Sequence, residues 1–150
     1  TGRITSFRID NITAVEAGEV CAHFDAQRQK LDGMRAHMWG VSTQSRARRR
    51  MEQVSFTVRY GDDEAHIHRR LEREKRCGTV ERLDAHTSRF TAELYDTAEI
   101  LPWMRTFLCR IVSYSFSNAA VEARFAADIE EMYRMYGITD AEGRREDDFQ

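Results

Sequence analysis

Proline is nearly missing from this sequence: Pro102 is its one example among 150 residues, and glycine numbers only eight. With so little of either there is no Pro- or Gly-rich linker, and neither an internal repeat nor a low-complexity segment is found. Cysteine is scarce as well. Cys21, Cys77 and Cys109 are three, an odd number without metal-ligand spacing. That argues against a disulfide scaffold or a zinc module and for free thiols in a reducing, cytoplasmic setting. No apolar run approaches the roughly 18 residues that span a bilayer, and the densest, Ile100 to Met104, carries the proline. A basic segment followed by an apolar stretch is missing from the N-terminus, so no signal peptide is expected. Neither sign of charge is in excess. The 25 acids against 23 bases leave a net charge of -2, too little to hold the whole chain on nucleic acid. Lysine is reduced to Lys30 and Lys75; the other basic residues are arginines, whose forks suit carboxylates and phosphates but whose abundance also follows genome composition.

What is present suffices for folding. Apolar residues make up 41%, too many for a disordered chain, and the length suits one domain or one domain with a piece of another. Residues 3–16 read as extended: Ile4, Phe7, Ile9, Ile12 and Val15 sit among polar neighbours, and Asp10-Asn11 supplies a turn signal. From about Glu19 a helical stretch carries the stripe Val20, Phe24, Leu31, Met34 and Met38. Gly33 within it costs about 1 kcal/mol of helix stability. The polar stretch from Ser42 to Arg50 reads as a loop.

From Met51 the periodicities sharpen. Val54, Phe56, Val58 and Tyr60 alternate with Ser55, Thr57 and Arg59, the mark of a half-buried strand. Gly61-Asp62-Asp63 ends it, and either aspartate is placed to cap a helix to about Cys77, with Ile67 and Leu71 as a thin apolar face and Gly78 as its stop. Thr79–Leu83 and Arg89–Tyr95 predict two strands around a turn, the second with Phe90, Ala92 and Leu94 on one face. Thr97 is expected to cap a helix through Ile100, Leu101, Met104, Phe107 and Leu108, with Pro102 near its start. Arg110–Phe116 predicts a fourth strand with Val112, Tyr114 and Phe116 on one side; Cys109 at its head is expected to be a small buried hydrophobe. Asn118 caps the last helix, where Val121, Phe125, Ile129, Met132, Tyr133 and Tyr136 keep a 3.6 period up to Gly137. Strand, helix, strand, strand, helix, strand with right-handed crossovers gives a four-stranded antiparallel sheet with both helices on one face. The expected fold class is therefore α+β: a ferredoxin-like βαββαβ sheet with an added C-terminal helix, preceded by a short strand pair and a helical connector.

Two stretches carry a resemblance. Phe7-Arg8-Ile9-Asp10-Asn11-Ile12 resembles the FRLDRI-type strand that closes the small barrel of bacterial WYL-domain transcription regulators. Leu101-Pro102-Trp103-Met104-Arg105-Thr106-Phe107 is similar to the L-P-W-I-x-S-F signature of the extension after that barrel, called WCX. The order between them also matches, with a helix opening near Phe24, a Trp39-Gly40 pair, the βαββαβ unit and a closing helix. The likeness runs from about Arg3 to Gly137. It departs from the family at Asn11, where arginine is usual, and at Leu108-Cys109, where a glycine often follows the tryptophan helix.

The resemblance implies that residues 1–16 are the last strands of a WYL barrel, 17–50 a connector helix and Arg-rich loop, 51–137 the WCX domain and 138–150 a loose charged tail. It further implies that the strands bearing the Trp-Tyr-Leu tripeptide, and a winged helix that binds promoter DNA, lie upstream of Thr1; the opening Thr-Gly without methionine fits a piece of a longer chain. The implied role is effector sensing and/or dimerisation in a cytoplasmic transcription regulator. Its partners would be a second copy of the chain and a small-molecule or nucleotide/nucleic-acid effector, with no membrane. Arg8 is the residue matching a family position implicated in ligand contact.

Candidate chemistry is thin. Trp39 and Trp103 could stack on a planar effector, but large aromatics at such spacing are more often core. His66 and His68, two apart on a helix, point about 200° from each other and cannot share a metal ion. There is no G-x-S-x-G, P-loop or G-x-G-x-x-G. No enzyme, metal or cofactor is expected. Arg46, Arg48, Arg49 and Arg50 form the strongest local charge and read either as a solvated linker or as forks for phosphate, alongside Arg8 as candidate contacts. Met132, Tyr133, Met135 and Tyr136 on the last helix either meet a partner chain or cover the Ile67/Leu71 helix. A stand-alone ACT-like small-molecule-binding or dimerisation module is the alternative class. A small hydrolase of acylphosphatase type is a third, and an RNA-recognition sheet ranks below them, since its outward positions Ser55, Thr57, Arg59, Thr91, Glu93 and Tyr95 make a poor stacking platform.

Overall fold

Alternation along a strand has structural consequences only when one face is covered, and here it is. A computed structural model describes residues 7–43 and 50–137. Among these, β1 is Glu52–Arg59, β2 Thr79–Arg82, β3 Thr87–Leu94 and β4 Ile111–Phe116. They form one open sheet in the order β2-β3-β1-β4, with each neighbouring pair antiparallel. The helices are α1 (Phe24–Arg35), α2 (His66–Glu74), α3 (Leu101–Arg105) and α4 (Ala119–Met135). The class is α+β. No described helix is long and apolar enough to cross a membrane.

Register places the apolar residues of neighbouring strands side by side. Phe56 lies opposite Phe90 on β3 and Tyr114 on β4, and Val54 lies opposite Ala92 and Phe116. On this one face Val54, Phe56, Val58, Phe90 and Leu94 pack with Ile67 and Leu71 of α2, Leu101 and Met104 of α3, Phe107, and Val121 and Phe125 of α4. Burying a side chain of this size contributes about 1.5–3 kcal/mol, so the sheet face and its helices stabilise each other. The opposite face, with Ser55 and Arg59 on β1 and Arg89, Thr91 and Glu93 on β3, carries no helix of this core and stays polar.

Several boundaries differ from expectation for physical reasons. The strand pair expected over residues 3–16 is not formed over 7–16, and residues 1–6 lie outside the described residues. A single turn of 3-10 helix at Ile9–Asn11 stands there instead, with Phe7 and Ile9 each 82% exposed. Neither edge strand of the sheet, β2 or β4, pairs with this segment. The connector helix begins at Phe24 rather than Glu19, leaving Val20 exposed, and it passes through Gly33 without a break. Next to β1, Asp62–Glu64 make a 3-10 turn before α2, which stops at Glu74. Gly78 then opens β2 at φ 82°, and a Cβ there would sit 2.6 Å from the Thr91 carbonyl oxygen, so only glycine fits.

The helix expected from Thr97 to Leu108 is also divided. Asp96, not Thr97, provides the cap, accepting from the Ala98 N–H at 2.9 Å. Thr97 is buried and gives both its N–H and its hydroxyl to the Glu52 carboxylate. Phe107 and Leu108 follow α3 rather than belonging to it. In β4 the register slips between Thr57 and Val58: Thr57 pairs with Ser113 and Val58 with Ile111. Val112 is the extra residue of this bulge and is 53% exposed, so it does not join Tyr114 and Phe116 on the covered side. Cys109 is exposed in the 3-10 turn Leu108–Arg110, contrary to the buried position expected of it.

Candidate functional site

The segment after α1 is a short strap from His37 to Ser42 that is fastened at both ends. Near its start the His37 carbonyl accepts from the Tyr95 N–H at 3.0 Å, and His37 Nδ1 donates to the Glu93 carbonyl at 2.8 Å. A carbonyl can only accept, so Nδ1 carries the proton and, in the neutral ring, Nε2 is left as an acceptor. At its far end the backbone N–H groups of Gly40, Val41 and Ser42, with the Ser42 hydroxyl, all donate to the Glu99 carboxylate at 2.8–3.1 Å. A Cβ at position 40 would lie 2.7 Å from the Glu99 carboxyl carbon, so a larger residue there would displace the carboxylate. Arg76 adds a bond to the Trp39 carbonyl at 2.9 Å.

Between these fastenings Trp39 turns into the core. Its ring lies 4.8 Å from that of Trp103 and 5.8 Å from that of Phe90, centroid to centroid. Trp103 also meets Phe56, Phe90 and Phe107, and its indole N–H donates to Glu74 Oε2 at 2.9 Å. Both tryptophans are therefore core anchors, as expected of large aromatics at such spacing. Burial pushes the Glu74 carboxyl upward, but the hydrogen bonds from Arg70 and Trp103 outweigh it and hold the group below the usual glutamate range.

The uncovered sheet face carries a groove of about 630 Å³. Along its floor Thr79, Thr91, Ser55 and Ser115 lie in register across all four strands, with Gln53, Glu93 and Ser117 beside them and Val54, Ala92 and Phe116 supplying apolar surface. Thr79 and Thr91 share a hydroxyl bond at 2.8 Å, and the Ser117 hydroxyl accepts from the Gln53 N–H at 2.8 Å. Ala36 and His37, at the end of α1 and the start of the strap, line the groove as well. Of the outward positions named from the sequence as a poor base-stacking platform, Ser55, Thr91 and Glu93 line this groove, where the rings present are those of Phe116 and His37.

The other sequence candidates are dispersed. Arg8 is exposed and pairs with Asp10 at 3.0 Å. Arg46, Arg48 and Arg49 lie outside the described residues; Arg50 is exposed. Met132 is half-buried, while Tyr133, Met135 and Tyr136 are 46%, 73% and 73% exposed. The α4 stripe thus reaches the core through Val121 and Phe125, with Ile129 packed against it, while those three side chains are exposed. His66 is exposed, whereas His68 Nδ1 bonds the buried Ser88 hydroxyl at 2.9 Å, which Tyr60 also meets at 2.8 Å. Among the described residues no group of three or more His, Cys, Asp or Glu side chains is placed to hold a metal ion.

Three polar knots were not legible beforehand. Glu52, buried at the start of β1, accepts from Thr97 and from the Asn118 amide, tying β1 to the 3-10 turn before α3 and to the cap of α4. Glu64 pairs with Arg110; that bond, with the Gly61 N–H, holds the Glu64 carboxyl below its ordinary range and the guanidinium above its own. Glu99 gathers the strap. Nothing in the periodicity separates any of the three from a solvated acid. No family model, curated protein or solved structure matches this chain.

Proposed function

We propose that the chain is the C-terminal effector-sensing and/or dimerisation region of a WYL-type bacterial transcription regulator, with residues 51–137 a ferredoxin-like WCX unit and the DNA-binding winged helix outside it. The order β2-β3-β1-β4, with α2 and α3 on one face, is what a βαββαβ chain adopts when both crossovers are right-handed, and so supports the fold half of the reading. The functional half rests on one observation. Trp103 of the Leu101-Pro102-Trp103 signature packs on Trp39 of the Trp39-Gly40 pair, so two of the sequence marks of the resemblance form one contact. That contact couples the connector to the sheet, which is the arrangement a sensing region needs if its state is to reach an upstream domain. The exposed end of α4 supports the dimerisation half, since tyrosine and methionine are enriched in interfaces. In this reading the chain does no chemistry of its own.

Sequencing the gene upstream of Thr1 tests the family assignment. A winged helix followed by a barrel with Trp-Tyr-Leu is expected; a start codon close to Thr1 would reject it.

A further inference from the structure

We propose that the groove on the open sheet face is the effector site, and that it takes a phosphate-free small molecule bearing a vicinal diol, a ribose or pyranose ring, whose presence is passed to the connector by His37. This rests on the sensing role inferred above and names its ligand. The groove, about 630 Å³, is of the size that small-molecule sites occupy. Its functional groups define the chemistry. Glu93 offers a carboxylate and Gln53 an amide, and neither side chain is bonded to another described residue. A carboxylate accepts from two adjacent hydroxyls at once, the same contact by which acidic residues hold a ribose. The hydroxyls of Ser55, Thr91 and Ser115 both donate and accept, which matches a polyol better than an ion.

Charge among the described residues argues against the nearest rival class. No described lysine or arginine lines the groove, and the fixed charge among its described lining residues is the negative Glu93. A phosphate placed there would meet a like charge and no fork to hold it. The coupling follows from the position of His37. It lines the groove, its Nδ1 is fixed by the Glu93 carbonyl, and its backbone carbonyl holds Tyr95. A ligand hydroxyl that donates to Nε2 would brace the ring, and with it the strap that leads back into α1.

The test is a titration of the isotope-labelled chain with adenosine, ribose and glucose, each beside its phosphorylated counterpart, followed by backbone amide shifts in nuclear magnetic resonance. Expected are shifts confined to Gln53, Ser55, Thr79, Thr91, Glu93 and Ser115 for at least one unphosphorylated ring, with tenfold or weaker binding of its phosphate. Glu93→Gln together with Thr91→Val, both on the exposed face, should weaken binding at least tenfold while leaving the fold intact by circular dichroism. His37→Ala should leave binding within a few-fold but abolish the ligand-induced slowing of hydrogen exchange at Gly40–Ser42. No shift in the groove with any of the three rings at millimolar concentration, or tighter binding of a phosphorylated form, would overturn the site. Strap exchange that slows equally in the His37 variant would overturn the coupling. Diol binding without an upstream winged helix would sink the regulator reading and leave the site standing.

Discussion

Trp39 and Trp103 meet at 4.8 Å between ring centroids, one ring carried by the connecting strap and the other by α3. The contact lies inside the aromatic group formed with Phe56, Phe90 and Phe107, so Trp39 is both a core residue and the plug that holds the strap. Trp39→Ala should destabilise the chain by about 3–5 kcal/mol, the usual loss for emptying an aromatic site. Trp39→Phe should cost clearly less. Urea unfolding, monitored by circular dichroism, measures both; equal losses would mean that the volume at this position does not matter.

Glu99 should decide whether the strap is ordered. Removing its carboxylate in Glu99→Ala leaves three strap N–H groups without their acceptor, a loss of about 1–3 kcal/mol. Amide exchange is the sharper measurement: Gly40, Val41 and Ser42 should lose protection while β1 and β3 keep theirs. Loss of protection throughout the sheet would show instead that the clasp is part of the global fold.

The acid response follows from Glu64 and Glu74. Both are held below the ordinary glutamate value near 4.5 in the folded chain. The unfolded chain therefore takes up these protons first as acid is added. The stability the two groups contribute is complete at neutral pH and is lost as pH falls through 4.5 and on past their lower folded values. Glu64→Gln with Glu74→Gln should flatten the dependence of stability on pH below about 5. An unchanged slope in that window would assign the acid sensitivity to other groups.

The thiols should sort by exposure. Cys21 and Cys109 are exposed, while burial pushes the half-buried Cys77 thiol up and lowers its thiolate fraction. Iodoacetamide at neutral pH should label Cys21 and Cys109 first and Cys77 chiefly after unfolding. Peptide mapping by mass spectrometry reads the order directly.

If the end of α4 joins two copies, charge placed there should separate them. Tyr133→Glu with Tyr136→Glu should turn a dimer into a monomer in light scattering, with thermal stability of each subunit little changed because both side chains are already exposed. A monomer in the parent chain would remove this interface.

How much of this was legible beforehand depends on what each residue needs in order to act. The strands were, because the alternation of Val54, Phe56, Val58 and Tyr60 is itself the cause of one-sided burial. Asn118 was legible as a cap for the same local reason, bonding the Ala120 and Val121 N–H groups beside it. The residues before Phe24 misled, since alternation at Phe7 and Ile9 makes a strand only where the segment docks on a partner strand, and here it docks on neither edge of the sheet. Thr97 misled because it competes with Asp96 for one cap, and the winner is set by Glu52, far away in the chain. The groove could not be foreseen from Thr79, Ser55 and Ser115 singly; it exists only once four strands bring them into one row. His37 reaches it through bonds to Glu93 and Tyr95 that no local pattern encodes.

The displaced Val112 has an effect beyond its own exposure. An open sheet has two rims, and either can zip onto a neighbouring molecule and seed fibres. Here one rim is the short β2 with Glu81 and Arg82, and the other carries the inserted residue of β4, which breaks its ladder. Both are poor templates for added strands, and contacts between copies are therefore expected at the helices rather than along the sheet.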